Sequence, residues 1–277
     1  MVIDSHTHIF PQEIIDQRDR LANSDNWFGH LYGTGARMAT ADDLLRSMDK
    51  AKIDKSVVAG FGWTDENACT KCNEYIVETA SRSDGRIIPF IGVTPQNVDS
   101  MQIELDRWRN SFKGIGELYE QAQGFDYVES DVAELMFDRC VEDDLFALIH
   151  VSEQVGHIYP GKESTSPERV AKLIDKKSEA LKLILAHWGG GLGFYEMMPE
   201  IAKNTSNVYY DCAASQYLYD SRVYSVMTQL APGRIVFGSD YPLISQLKAV
   251  KAVQESSLSN VHMTGVLGAN AIKIGLG

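Results

Sequence analysis

Two histidines stand two positions apart in Asp4-Ser5-His6-Thr7-His8. On an extended strand, residues two apart point the same way, about 6–7 Å along the backbone, so His6 and His8 present both imidazoles to one side. Neutral imidazole suits zinc and other first-row divalent metals, and two on one side can chelate a single ion. In isolation such a pair is more often a surface feature than a ligand set. It gains weight from its company. His150, His187 and Asp240 each follow an apolar run, in Ile149-His150-Val151, Ala186-His187-Trp188 and Gly238-Ser239-Asp240-Tyr241-Pro242, and Glu117 does so in Gly116-Glu117-Leu118. Four of the seven histidines fall in such places. A catalytic zinc site needs about three protein ligands and an open position for water. The bound water then has its pKa lowered from 15.7 to about 7. A carboxylate beside the metal can shuttle its proton, and a histidine can protonate a leaving group. That set is complete for hydrolysis of an amide or ester. It also suffices for decarboxylation, where a proton is delivered to a ring carbon.

Such residues converge only if the chain places the ends of its strands together. Eight apolar or β-branched runs recur: Val2–Asp4, Lys55–Phe61, Ile87–Val93, Lys113–Leu118, Leu145–Val151, Leu181–His187, Asn207–Cys212 and Arg234–Ser239. Most are continuous rather than alternating, as strands covered on both faces are. Helical segments lie between them. Thr40 precedes an acidic first turn, Ser130 and Glu134 stand near another helix start, and Ser166-Pro167 places a capping residue before a first-turn proline. Eight strand–helix units in 277 residues predict a (β/α)8 TIM barrel, α/β in class, as one domain over 1–277. An open doubly wound sheet would want a glycine-rich turn after its first strand, where this chain has His-Thr-His. In a barrel the site lies at the C-terminal ends of the strands, where the His, Asp and Glu residues fall. The stretch at about 9–39 exceeds an ordinary connection and carries Trp27, Phe28, His30 and Tyr32, so it reads as a lid or binding loop.

Taken together, the motifs around His6, His8, His150, His187 and Asp240 resemble the amidohydrolase superfamily. The closer resemblance is to its amidohydrolase-related branch, which includes the aminocarboxymuconate-semialdehyde decarboxylase-like enzymes. Leu267-Gly268-Ala269-Asn270-Ala271 resembles that branch's closing helix, and the likeness runs from residue 3 to residue 271. The resemblance implies His6, His8, His150 and Asp240 as metal ligands, Asp240 also accepting a proton from metal-bound water. It implies His187 as acid, base or substrate polariser, or as ligand to a second metal. Glu117 is either a metal ligand, bridging two ions as in one branch, or a carboxylate behind the ligands.

Composition bounds the rest. Lys and Arg number 26 against 38 Asp and Glu, a net charge of −12, which disfavours nucleic acid and anionic membrane as partners. With 44% hydrophobic and 23% charged residues the chain is an ordinary globular one. It shows no secretory signal and no membrane-length apolar run, so a cytoplasmic protein is expected. Cys69, Cys72, Cys140 and Cys212 then read as reduced thiols, because the Cys69–Cys72 pair lies on the helical segment Asn67 to Arg82 and has no second pair. The Trp188 to Gly193 stretch reads as a tight turn rather than a phosphate loop. Trp63 and Tyr119 are candidates to line the pocket, and Arg37 to anchor a substrate carboxylate, while Lys113 begins its strand far from the mouth. His157 reads as a loop residue, and His30 as a solvated one. The expected function is metal-dependent hydrolysis of a small carboxylate-containing amide, ester or lactone, with Asp240 and His187 as proton-transfer groups. The alternative is a metal-dependent non-oxidative decarboxylase or hydratase of a dicarboxylic or aromatic acid. A non-catalytic binding barrel is a third reading, disfavoured by the five site residues. Zinc, as one or two ions, is the expected cofactor, and a homodimer the expected assembly by base rate.

Overall fold

The eight apolar runs form eight strands in the computed structural model: β1 (Ile3–Thr7), β2 (Lys55–Val58), β3 (Ile87–Ile91), β4 (Gly114–Leu118), β5 (Phe146–Ile149), β6 (Lys182–Leu185), β7 (Val208–Asp211) and β8 (Ile235–Val236). The structure describes residues 1–33, 35–162, 165–177 and 180–277. Every neighbouring pair from β1 to β8 is parallel and in sequence order. The ring closes between β8 and β1. Ser5 N–H donates to Phe237 O at 2.7 Å, His8 N–H to Tyr241 O at 2.7 Å, and Thr7 bridges Tyr241. The chain is a (β/α)8 barrel.

Alternation along the strands divides the apolar residues into two layers. Val57 and Ala59, Phe90, Phe146 and Leu148, Ile184 and Ala186 pack with Ile3 and Val236 in one buried cluster, the barrel interior. Val58, Ile91, Ile115, Ala147, Leu183 and Leu185 pack in the other, against the helices. Those helices start where the capping residues lie. In the helix Ala41–Ala51, Thr40 and Asp43 form a reciprocal capping box. Ser130 Oγ accepts the Ala133 N–H at 3.2 Å before the helix Asp131–Glu142. No helix among the described residues is long and apolar enough to cross a membrane.

The long connection after β1 contains three short helices, α1 (Gln12–Asp16), α2 (Arg18–Ser24) and α3 (Asn26–Tyr32). It carries its own apolar cluster, in which Phe10, Ile14, Leu21 and Phe28 meet Phe61, Trp63, Cys69 and Cys72. The buried thiols are therefore packing groups, and burial pushes Cys72 up to about 12. Asp25 pins this insert. Its Oδ1 accepts the Phe28 N–H at 2.9 Å, and its Oδ2 accepts the Thr64 N–H at 2.7 Å and hydroxyl at 2.8 Å. Asp25 is fully buried. Asp25→Ala is expected to destabilise the insert by about 2–3 kcal/mol, the scale of hydrogen bonds to a charged group. Hydrogen exchange would show the faster opening concentrated in 12–32, and unchanged protection there would contradict the assignment.

Candidate metal centre

Six side chains converge at the C-terminal mouth of the barrel: His6 from β1 and His8 just after it, Glu117 from β4, and His150, His187 and Asp240 just after β5, β6 and β8. The strand β1 runs on to Thr7, past the Asp4 at which the apolar run stops, because it is paired on both edges. Asp4 itself takes no part in the cluster. It is fully buried and accepts from Ser239 N–H at 2.9 Å, Ser239 Oγ at 2.6 Å and Gln246 Nε2 at 2.8 Å, fastening β8 to β1. Burial pushes its carboxyl up to about 6 despite those donors. Asp240 N–H then donates to His6 O at 2.9 Å.

The backbone at two strand ends is held in the left-handed region. His187 has φ 56° and Asp240 φ 61°. Such a conformation is costly for a residue with a Cβ and is found where the surroundings impose it, as at functional sites. Trp188, Gly189, Gly190 and Gly191 continue it with φ of 60°, 62°, 57° and 94°. At Gly190 a Cβ would stand 2.7 Å from Ser152 O, so only glycine lets this turn close on the β5 loop.

His6 and His8 meet nitrogen to nitrogen. Their Nε2 atoms are 3.1 Å apart. His6 Nδ1 lies 2.8 Å from Asp211 Oδ2, and His8 Nδ1 lies 3.2 Å from Ala59 O, both acceptors. Each Nδ1 therefore carries a hydrogen, which leaves the facing Nε2 lone pairs without one between them. Two lone pairs at this distance need a cation, and both are within reach of one ion bonded at about 2.0–2.1 Å. Glu117 Oε2 is 3.4 Å from His6 Nε2 and 3.3 Å from His8 Nε2, and Asp240 Oδ1 is 3.9 and 3.8 Å from them. This donor set fits a divalent metal. In its place a proton can serve. Burial pushes His6 down, but the Glu117 and Asp211 carboxylates outweigh it and hold the imidazole well above its ordinary range.

Glu117 joins this group to a second one. Its Oε1 lies 2.8 Å from His150 Nδ1 and 3.7 Å from His187 Nε2. Burial alone would raise the Glu117 carboxyl, but His6 and His150 hold it well below the usual carboxylate range. The structure thus groups His6, His8 and Asp240 on one side and Glu117, His150 and His187 on the other. His150 is expected from the sequence with His6, His8 and Asp240. Its second nitrogen instead lies 2.8 Å from Gly161 O, because the loop after β5 folds back over it. His187 Nδ1 lies 3.3 Å from Ala213 O. Burial lowers its pKa, yet Glu117, Asp240 and Asp211 raise it to about 9.

One residue of this site, Asp211, escapes the sequence analysis, and another, Tyr119, is expected there only as part of the pocket lining. Asp211 lies within the Asn207–Cys212 run, read only as strand. Tyr119 donates its hydroxyl to Glu117 Oε2 and stacks on His150 with ring centroids 4.9 Å apart. An Asp at the C-terminal end of an apolar strand is the signal that could have found the first.

A cavity of about 510 Å³ opens above the cluster and reaches His8, Glu117, His150, His187 and Asp240. Leu31, Tyr32, Tyr119, Leu218 and Leu243 line it, and Arg37 is its only Lys or Arg among the described residues. Arg37 lies 5.5 Å from the Tyr241 ring centroid and has no ion-pair partner among the described residues. His157 also lines the cavity, whereas Trp63 is buried in the insert's cluster and His30 stacks on Trp27.

No curated protein sequence matches this chain. Solved structures do. The 5-carboxyvanillate decarboxylase of Sphingomonas paucimobilis superposes with a TM-score of 0.78 at 15% identity, covering 99% of this chain and 98% of that one. That of Novosphingobium aromaticivorans, complexed with manganese and 4-hydroxy-3-methoxy-5-nitrobenzoic acid, gives 0.79 at 19%, covering 99% and 95%. A dihydroxybenzoic acid decarboxylase from Polaromonas, with bound manganese and 2-nitroresorcinol, gives 0.74 at 16%, covering 99% and 96%. These likenesses establish the shared fold. They also correct the expectation of a hydrolase, since each of the three is a decarboxylase by name. The hydrolytic reading went astray for a physical reason: histidines and carboxylates around a metal serve water attack and carbon protonation equally, so the ligand motifs do not distinguish them. The amidohydrolase family model matches residues 3–274, nearly the whole length, and the chain belongs to that family.

Proposed function

We propose that this chain is a metal-dependent, non-oxidative decarboxylase of an aromatic acid. The observation that carries the reading is a cation-binding cluster at the floor of an apolar, aromatic-walled cavity with one free guanidinium. A volume of about 510 Å³ suits a one-ring acid. Tyr32, Tyr119 and the three leucines offer a ring its packing surface, and Arg37 offers an acid group a bidentate partner. The named activities and bound aromatic ligands of the structural relatives support the same substrate class. Two imidazoles and two carboxylates suit manganese as well as zinc, and manganese is the ion in two of those relatives.

His6, His8, Glu117 and Asp240 would hold the ion. When bound, it supplies a fixed positive charge that holds and polarises substrate oxygens. The other steps belong to the chain. The apolar walls orient the ring and keep water from it. His187 carries a proton at neutral pH, kept there by the neighbouring carboxylates, with Nδ1 on Ala213 O and Nε2 toward Glu117. It gives the Nε2 proton to the ring carbon that bears the carboxylate. The bond from that carbon to the carboxylate breaks, carbon dioxide leaves, and His187 becomes neutral. One carboxylate and one proton give one arene and one carbon dioxide, with no change of oxidation state overall, and His187 regains its proton from solvent.

Chelator-treated protein should leave hydroxybenzoic acids unchanged in absorbance, and added manganese should restore their loss. Equal rates with and without metal would refute the reading. Arg37→Met is expected to raise KM about 10–100-fold with kcat little changed, the signature of a contact made equally before and during reaction. Steady-state kinetics would show it, and an unaltered kcat/KM would remove Arg37 from the substrate site.

A further inference from the structure

We infer that Asp211 is a positioning residue that locks the ring of His6 and the backbone of His187 to one buried carboxylate, and thereby fixes which nitrogen of His6 faces the metal. The inference rests on the metal-binding reading of His6.

Asp211 ends β7, fully buried, between the strand ends that carry the two histidines. Its oxygens are divided between them. Oδ2 lies 2.8 Å from His6 Nδ1, while Oδ1 accepts the His187 N–H at 2.9 Å and the Ala213 N–H at 3.0 Å. No Lys or Arg is within ion-pair distance of it among the described residues. A carboxylate only accepts, so His6 Nδ1 must keep its hydrogen and His6 Nε2 is the nitrogen left for a metal. The two N–H groups on Oδ1 prevent the carboxylate from turning away. The sequence makes room for this contact at Gly238, where a Cβ would stand 3.0 Å from His6 Cβ and 3.2 Å from Asp211 Cβ and Cγ. Ala213, which shares Oδ1, also supplies the carbonyl facing His187 Nδ1 at 3.3 Å. One side chain therefore aligns the metal side of the centre with its proton-carrying side.

Asp211→Asn tests this with little change of shape. If its amide oxygen stays on the two N–H groups, its NH2 faces His6 Nδ1, and His6 can no longer keep a hydrogen there. If the amide turns, NH2 meets two N–H donors. The first arrangement has fewer conflicts. The probe is zinc, whose complex is diamagnetic. Competition against a chelator gives the affinity, and NMR of the 15N-histidine-labelled, zinc-loaded protein gives the His6 Nδ1–H signal. The expected result is about 10–100-fold weaker zinc binding, with the downfield Nδ1–H signal moved or lost. Asp211→Ser, which also removes the charge, should weaken zinc similarly if the asparagine variant fails to fold. Wild-type affinity in either folded variant overturns the inference. So does weaker binding with the His6 signal unmoved, since that is loss of packing alone. If the wild-type protein binds no zinc, the metal reading of His6 fails instead, a result distinct from both.

Discussion

His8→Ala is expected to remove bound metal and turnover together while leaving the barrel folded. The imidazole of His8 is one of two nitrogens whose lone pairs meet at 3.1 Å, with its orientation set by Ala59 O. Truncation leaves His6, Glu117 and Asp240 without a fourth donor on that side. Losing a hydrogen-bond partner behind a ligand costs about 10–100-fold in affinity, and losing the ligand itself should exceed that. Turnover should fall in proportion to bound metal. Elemental analysis beside an activity assay tests this, with circular dichroism to confirm folding. The wild-type count also reports on Glu117. One ion per chain fits a single centre in which His150 and His187 act through Glu117, and two would give each group of three residues its own ion. Retention of wild-type metal by folded His8→Ala protein would exclude the His6–His8 pair as the ligand core.

The second large effect belongs to His187→Asn. Asparagine can keep a hydrogen bond to Ala213 O but has no acidic proton to give. Loss of a general acid costs about 10²–10⁴-fold in kcat, and the ion held by His6, His8 and Asp240 should be retained because His187 is not in that group. The pH profile makes the role specific. With the His187 pKa raised to about 9, the proton is present below that pH and lost above it. Wild-type kcat should therefore decline on the alkaline side, as that proton is lost. The variant should lack this basic limb. A folded His187→Asn protein with full activity, or one that keeps the same limb, would remove His187 from the proton transfer.

The strands and their order were legible because each is an apolar run alternating with helical segments, and those of β1, β4, β5, β6 and β8 lead to a His, Glu or Asp at the C-terminal end. The barrel's closure places those ends at one mouth, so Glu117, His150, His187 and Asp240 could be read from position alone. The insert was legible only as a long connection. Its three helices are short, and they owe their place to Asp25 and to Phe28, Phe61 and Trp63, contacts between segments far apart in sequence. The partners of His150 were hidden for the same reason: Gly161 reaches it through a folded-back loop whose sequence carries no periodic signal. Asp211 looked like an ordinary strand residue because its function depends on β1 and β6 arriving beside it. The reaction was the least legible feature. Decarboxylation and hydrolysis share the ligand set, and the difference lies in the pocket walls, where Leu31 and Tyr32 come from α3, and Leu218 and Leu243 from the connections after β7 and β8.

The most direct test of the decarboxylase assignment is to incubate the manganese-loaded protein with hydroxybenzoic acids in deuterated water, following gas evolution and proton NMR together. The account predicts one carbon dioxide per substrate consumed, with deuterium at the vacated ring carbon. Absence of carbon dioxide from these acids, with cleavage of an amide, ester or lactone and incorporation of solvent oxygen, would contradict it.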